Sequence, residues 1–261
     1  MQISLQGKRA LVGGSSRGIG RAIAEQLAES GASVTLMARS EDQLKLITKG
    51  LPKDGGAIHD YLVVDFTDFD SYKKKITAYF ENHKVDILVN NTQGPSSGSA
   101  LEKDISDFQE AFDLLFKSVV YTTQLALKHM MENKWGRVIN VASISVKEPL
   151  SYLALSNTIR AAVVTWAKSL ANEVASDKIT VNSILTGYFD TERITDLNKK
   201  KSEQMGIPVD EVRTAMENQV PMKRIGDPQE YGYLVCFLAS DRASYITGTN
   251  IPIDGGLLKS L

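Results

Sequence analysis

Residues 9–29 read Arg9-Ala-Leu-Val-Gly13-Gly14-Ser15-Ser16-Arg17-Gly18-Ile19-Gly20-Arg21-Ala-Ile-Ala-Glu-Gln-Leu-Ala-Glu29. A short apolar run ends in a glycine-rich turn, and apolar residues at helical spacing follow it, so the order predicts strand, tight turn and helix. Glycines there permit a sharp reversal and let backbone N–H groups approach a pyrophosphate, whose charge the helix N-terminus favours. A glycine cluster alone carries little weight, because strand-to-helix turns are often glycine-rich for structural reasons. Its place between a strand and a helix is what makes it informative.

Outward from this turn the same unit repeats. Apolar, mostly β-branched runs at 9–12, 33–37, 61–64, 86–90, 137–141, 180–184 and 250–253 alternate with helical patterns at 18–29, 71–82, 107–132, 153–175 and 228–239. That rhythm predicts an α/β fold, a single doubly wound Rossmann-type domain over 1–261 with a seven-stranded parallel sheet and helices on both faces. One stretch, 190–226, is long, polar and lysine-bearing at Lys199-Lys200-Lys201. It reads as a substrate lid after the sixth strand, or as a solvated helical pair with a charged face.

Composition narrows the function classes. Thirty basic against thirty-one acidic side chains leave a formal charge of −1, which gives no electrostatic bias toward nucleic acid or an anionic membrane. No run approaches the ~20 apolar residues of a membrane span, and the first residues lack a secretory apolar core. Together with a single cysteine, Cys236 in an apolar helical run, this points to a cytoplasmic protein without an internal disulfide. His59, His83 and His129 have no ligand spacing, so no metal is expected.

The turn spacing G-x-x-x-G-x-G resembles that of the short-chain dehydrogenase/reductase superfamily. So do, in order, Asp65 in Val-Val-Asp-Phe, Asn90-Asn91, Gly136-Arg-Val-Ile-Asn-Val-Ala-Ser143, Ile179-Thr-Val-Asn-Ser, Gly187 and Ile246-Thr-Gly-Thr-Asn-Ile-Pro-Ile-Asp-Gly-Gly256. The resemblance spans essentially the whole chain and looks closest to the 3-oxoacyl-(acyl-carrier-protein) reductase branch. It implies a nicotinamide dinucleotide held by Gly14, Ser16, Arg17, Gly18, Ile19 and Gly20, with Asp65 and Phe66 at the adenine and Asn91, Gly187 and Thr191 along the groove. The second strand ends Met37-Ala38-Arg39-Ser40. An acid there would bind the ribose 2′-hydroxyl of NAD, whereas Arg39, Ser40 and Arg17 can all meet a 2′-phosphate, so NADP(H) is preferred over NAD(H).

In that superfamily the reaction uses a serine, a tyrosine, a lysine four residues after the tyrosine, and an asparagine on an earlier helix. Ser143 matches the serine. Counting back from Lys168-Ser-Leu-Ala171 puts Ser156 at the tyrosine position and Arg160 at the lysine position, and Leu115 falls where the asparagine belongs. A serine hydroxyl is a far weaker acid than a phenol of pKa ~10, and arginine does not replace lysine simply. Tyr152 is the foremost substitute proton donor, ahead of Tyr188 and Lys147. Two functions follow: an NADP(H)-dependent oxidoreductase acting on a carbonyl or alcohol by an atypical proton relay, or a catalytically silent relative that binds nucleotide or acts as a scaffold. The resemblance also implies a small-molecule substrate and a homodimer or homotetramer pairing through 107–132, 153–175 and the last strand.

Overall fold

The computed structural model describes residues 3–260. Among them the apolar runs form seven strands, β1 (Arg9–Gly13), β2 (Ser33–Ala38), β3 (Asp60–Val63), β4 (Ile87–Asn90), β5 (Gly136–Val141), β6 (Ile179–Thr186) and β7 (Asn250–Ile253). All pair in parallel in the order β3-β2-β1-β4-β5-β6-β7, as the alternating pattern predicted. Every residue of β4 and β5 is buried, which is why these runs are continuously apolar instead of alternating.

The helices are α1 (Gly18–Glu29), α2 (Glu41–Gly50), α3 (Phe69–Asn82), α4 (Ile105–Phe112), α5 (Ser118–Asn133), α6 (Ala154–Val174), α7 (Glu192–Met205), α8 (Val209–Gln219) and α9 (Pro228–Ala239). One face of the sheet packs Leu27, Val34, Leu36, Val235 and Leu238. The other packs Tyr72, Ile76, Leu88, Val138 and Val181. Gly232 lets α9 approach α1, since a Cβ there would stand 2.9 Å from the Ala22 carbonyl.

The helices differ from the expectation in two places. The helix expected over 107–132 is interrupted by a π-helical turn, Asp113–Lys117, in which Leu114 and Leu115 are buried; apolar spacing alone does not register one extra residue in a turn. Helix α2 went unread because only Leu44 and Ile47 of its ten residues are buried. The segment 190–226 carries helices α7 and α8, whose buried residues are Asn198 and Val212; the pair is largely solvated, as one of the two readings expected. No helix among the described residues is long and apolar enough to cross a membrane.

The strand order reverses between β1 and β4, so the connections leaving their carboxyl ends diverge to opposite faces and open a crevice there. The glycine turn after β1 and Asn91 after β4 both stand at that crevice.

Candidate active site

The glycine turn is braced from two strands. Ser15 is fully buried; its hydroxyl donates to the Val12 carbonyl and accepts from the Met37 amide, each at 2.9 Å. From the other side the Asn91 side-chain amide donates to the Gly13 carbonyl at 3.0 Å. A Cβ on Gly20 would sit 2.2 Å from the Gly14 carbonyl, so only glycine lets the first turn of α1 lie this close. Helix α1 starts without a side-chain cap and without an acid in its first turn. Its leading N–H groups therefore have neither a helical nor a side-chain partner, which is the donor set an anionic diphosphate requires.

The start of α7 lies over this turn. The Thr191 methyl stands 3.2 Å from where a Cβ on Gly18 would be, and Glu192 accepts from the Arg17 guanidinium at 2.5 Å. Arg39 and Ser40 at the end of β2 are exposed, and among the described residues neither side chain has a partner in a salt bridge or helix cap. Asp65 is partly buried. Burial alone would raise its pKa, but two hydrogen bonds from Thr67 and the charge of Arg39 hold the carboxyl below the usual aspartate value. Phe66 is only 5% exposed and its ring packs on Tyr72 at 5.1 Å, so its side chain belongs to the core.

At the opposite end of the crevice, Ser143 follows β5 and its hydroxyl accepts from the Ser145 amide at 3.1 Å. Ser156 is buried on α6, one helical turn before Arg160. The Arg160 guanidinium donates to the Val141 carbonyl. Burial, aided by repulsion from Arg193 and opposed by Tyr231, pulls its pKa down to about 10. Arg160 shares a cavity of about 10 Å³ with Asn90, Thr92, Leu115 and Asn140. Asn90 donates to the Asn140 side-chain oxygen at 2.9 Å, while the Asn140 amide nitrogen is buried without a partner among the described residues.

Tyr152, just before α6, is 47% exposed. The neighbouring Tyr188 has its pKa pushed up to about 12 by burial and by Tyr152. The structure thus brings together two tyrosines that the sequence could only rank separately. Lys147 is exposed on the short turn after Ser143. Gly187 packs on the Asp254 backbone, where a Cβ on the glycine would stand 2.6 Å from the Asp254 Cα, and Ser16 and Ile19 are partly buried in the turn. Sequence reasoning passed over Ser15 and Arg193. A hydroxyl between glycines could have flagged Ser15 as a turn brace, but nothing local marks Arg193, which gains its place only through tertiary contact with Gly94.

The family model described as enoyl-(acyl carrier protein) reductase matches residues 14–258. The chain is 36% identical over 255 residues to a 3-oxoacyl-(acyl-carrier-protein) reductase of Vibrio cholerae, covering 98% of this chain and 99% of that protein. It is 31% identical over 258 residues to the reductase of the same description from Aquifex aeolicus, covering 98% and 100%. Among solved structures it resembles L-sorbose reductase from Gluconobacter frateurii, complexed with NADPH and L-sorbose, with a TM-score of 0.93, 31% identity and full coverage of both chains.

Proposed function

Since the chain belongs to the short-chain dehydrogenase/reductase superfamily, we propose that it is an NADP(H)-dependent oxidoreductase that interconverts a carbonyl and an alcohol through an altered proton relay. The observation that carries this reading is the uncapped start of α1 behind the braced glycine turn, with the unpartnered Arg39 and Ser40 beside it. Gly14, Ser16, Gly18, Ile19 and Gly20 would hold the diphosphate, Arg39 and Ser40 the 2′-phosphate, and Asp65, Asn91, Gly187 and Thr191 the remaining groove. Arg17 joins the phosphate only after leaving Glu192. The NADPH complex of the sorbose reductase relative supports the same cofactor choice.

The bound nicotinamide supplies or accepts the hydride. This chain's part is to orient the carbonyl oxygen through the Ser143 hydroxyl and to hold a proton near it. Tyr152 is the donor in this reading, with Tyr188 as its neighbour. Ser156 and Arg160 stand one turn apart on α6, where Arg160 retains a positive charge at neutral pH to counter a developing oxyanion. Helices α7 and α8 act as the lid. Phe108, Phe112, Phe116, Trp166 and Leu170, only partly buried on α4 to α6, suit the homodimer or homotetramer contact.

Fluorescence titration with NADPH and NADH, followed by turnover on a carbonyl panel, tests the reading. NADPH should bind more tightly, and Tyr152→Phe should lower kcat by about 100-fold or more with NADPH affinity retained. If neither nucleotide binds, the oxidoreductase reading falls and the chain is a binding or assembly protein.

A further inference from the structure

The glycine turn and the segment after β6 meet through an ion pair. Arg17, the residue before α1, runs extended and its side chain caps nothing; its guanidinium donates to the Glu192 carboxylate at 2.5 Å. Glu192 is the first residue of α7, and contacts that do not involve Arg17 fix where that helix starts. The Asp190 amide donates to the Gly226 carbonyl at 2.9 Å, and Arg213 donates to the two Asp190 carboxylate oxygens at 2.9 and 3.2 Å. The Thr191 methyl lies over Gly18, 3.2 Å from where a Cβ there would be. The Glu192 carboxylate is thus delivered to the turn by the backbone around it, and Arg17 is its only hydrogen-bond partner among the described residues. Of the two arginines that suit a 2′-phosphate, Arg39 has no salt bridge among the described residues, whereas Arg17 already holds an anion. The pair is 64% and 65% exposed, so water screens it and it opens readily. A pair of that strength weakens the binding of a competing anion without shutting it out.

We infer that Glu192 is a specificity-determining residue of the cofactor site: its carboxylate is an internal anion on Arg17 that the 2′-phosphate of NADPH must displace. The inference rests on the NADP(H) reading of this site. A phosphate monoester carries roughly −1.5 to −2 charges and three acceptor oxygens, against a single charge on the carboxylate, and Arg39 adds a second cation on its side. The phosphate therefore takes Arg17, and Glu192 recovers it when the oxidised cofactor leaves. NADH brings no such group and leaves the pair closed. Glu192 thus lowers the affinity for NADPH alone. Because Glu192 opens α7, arrival of the phosphate also removes one of the contacts that hold the start of that helix to the glycine turn.

The test is a fluorescence titration of NADPH and of NADH into the parent, Glu192→Gln, Arg17→Ala and the double variant. Glu192→Gln should tighten NADPH by about two- to fivefold, the range of an exposed ion pair, with NADH unchanged and the gain shrinking at high salt. Arg17→Ala should weaken NADPH, and in that background Glu192→Gln should have no further effect, since the two act through one contact. Both side chains are largely exposed, so urea midpoints should stay near the parent's. If the parent prefers NADPH and Glu192→Gln leaves its affinity unchanged or weaker, the inference is overturned and the cofactor reading stands. Equal tightening of both nucleotides overturns it too, because Glu192 would then be repelling the diphosphate they share. So does tightening that persists without Arg17, which would be repulsion through space. A parent that binds NADPH no better than NADH removes the cofactor reading, and the inference with it.

Discussion

Replacing Arg39 by alanine isolates the cofactor phosphate, because the side chain has almost nothing else to lose. It is exposed at the end of β2 and forms no salt bridge among the described residues. It helps to hold the carboxyl of Asp65 ionised. The fold should therefore tolerate the change, with a urea midpoint close to that of the parent, since exposed substitutions fall within about 0.5 kcal/mol. A hydrogen bond to a charged partner contributes about 1.5–3 kcal/mol, which at 1.4 kcal/mol per factor of ten is a loss of roughly 10–150-fold in NADPH affinity. NADH, lacking the 2′-phosphate, should change by less than about twofold. The parent's preference should also shrink with added salt, because the Debye length falls from about 10 Å at 0.1 M to about 3 Å at 1 M. Fluorescence titration of both nucleotides at two ionic strengths reads all of this. Equal weakening of NADPH and NADH, or no change in NADPH, would refute the argument and move the phosphate away from β2.

Two further outcomes concern stability. Asp86 is buried, which by itself would raise its pKa, but hydrogen bonds and charge from Arg9 and a hydrogen bond from His129 hold it below the ordinary value of 3.8. A depressed carboxylate contributes stability above its unfolded pKa and loses it as pH falls through the folded value; Asp86→Asn should thus cost about 1–3 kcal/mol at pH 7 and flatten the acid limb below about pH 4, read by urea unfolding. An equally steep acid limb in the variant would remove Asp86 as its cause. Arg137 is 2% exposed and donates to the carbonyls of Gly136, Lys178 and Ser240 and to Asp241, with Trp135 under its guanidinium at 4.3 Å. Arg137→Met leaves those acceptors short of a donor and should cost about 2–4 kcal/mol; a loss under about 0.5 kcal/mol would mean that the carbonyls repair themselves.

The sheet was legible because its signal is local: β-branched runs buried on both faces, each followed by a helical stripe. The glycine turn was legible as a turn for the same reason, and so was the position of Arg39 and Ser40 directly after β2. The core place of the Phe66 ring could have been read from its neighbours, since Val64 and Phe66 are buried while Asp65 is only partly so, a period of two that turns the acid outward and the ring inward. The chemical end of the crevice depends on contacts across long sequence separations. Tyr152 and Tyr188 meet because a loop before α6 and the end of β6 converge, and Arg193 reaches Gly94 from a helix whose sequence reads only as solvated. Periodicity carries no information about such encounters, and the π-helical turn at Leu115 further displaces any count made along a regular helix.

The hydrogen bonds that brace the glycine turn give it a thermodynamic character of its own. Ser15 ties it to β2 and Asn91 ties it to β4, on either side of the strand it leaves. Its shape is thereby fixed by the sheet's pairing and not by the loop's own residues, so the chain entropy of ordering it is lost when the protein folds and is not lost again when a nucleotide arrives. Opening the turn requires breaking into the centre of the sheet, so the Ser15 amide, which donates to the Met37 carbonyl at 3.3 Å, should exchange slowly although it lies in a loop, while the free N–H groups at the start of α1 exchange fast.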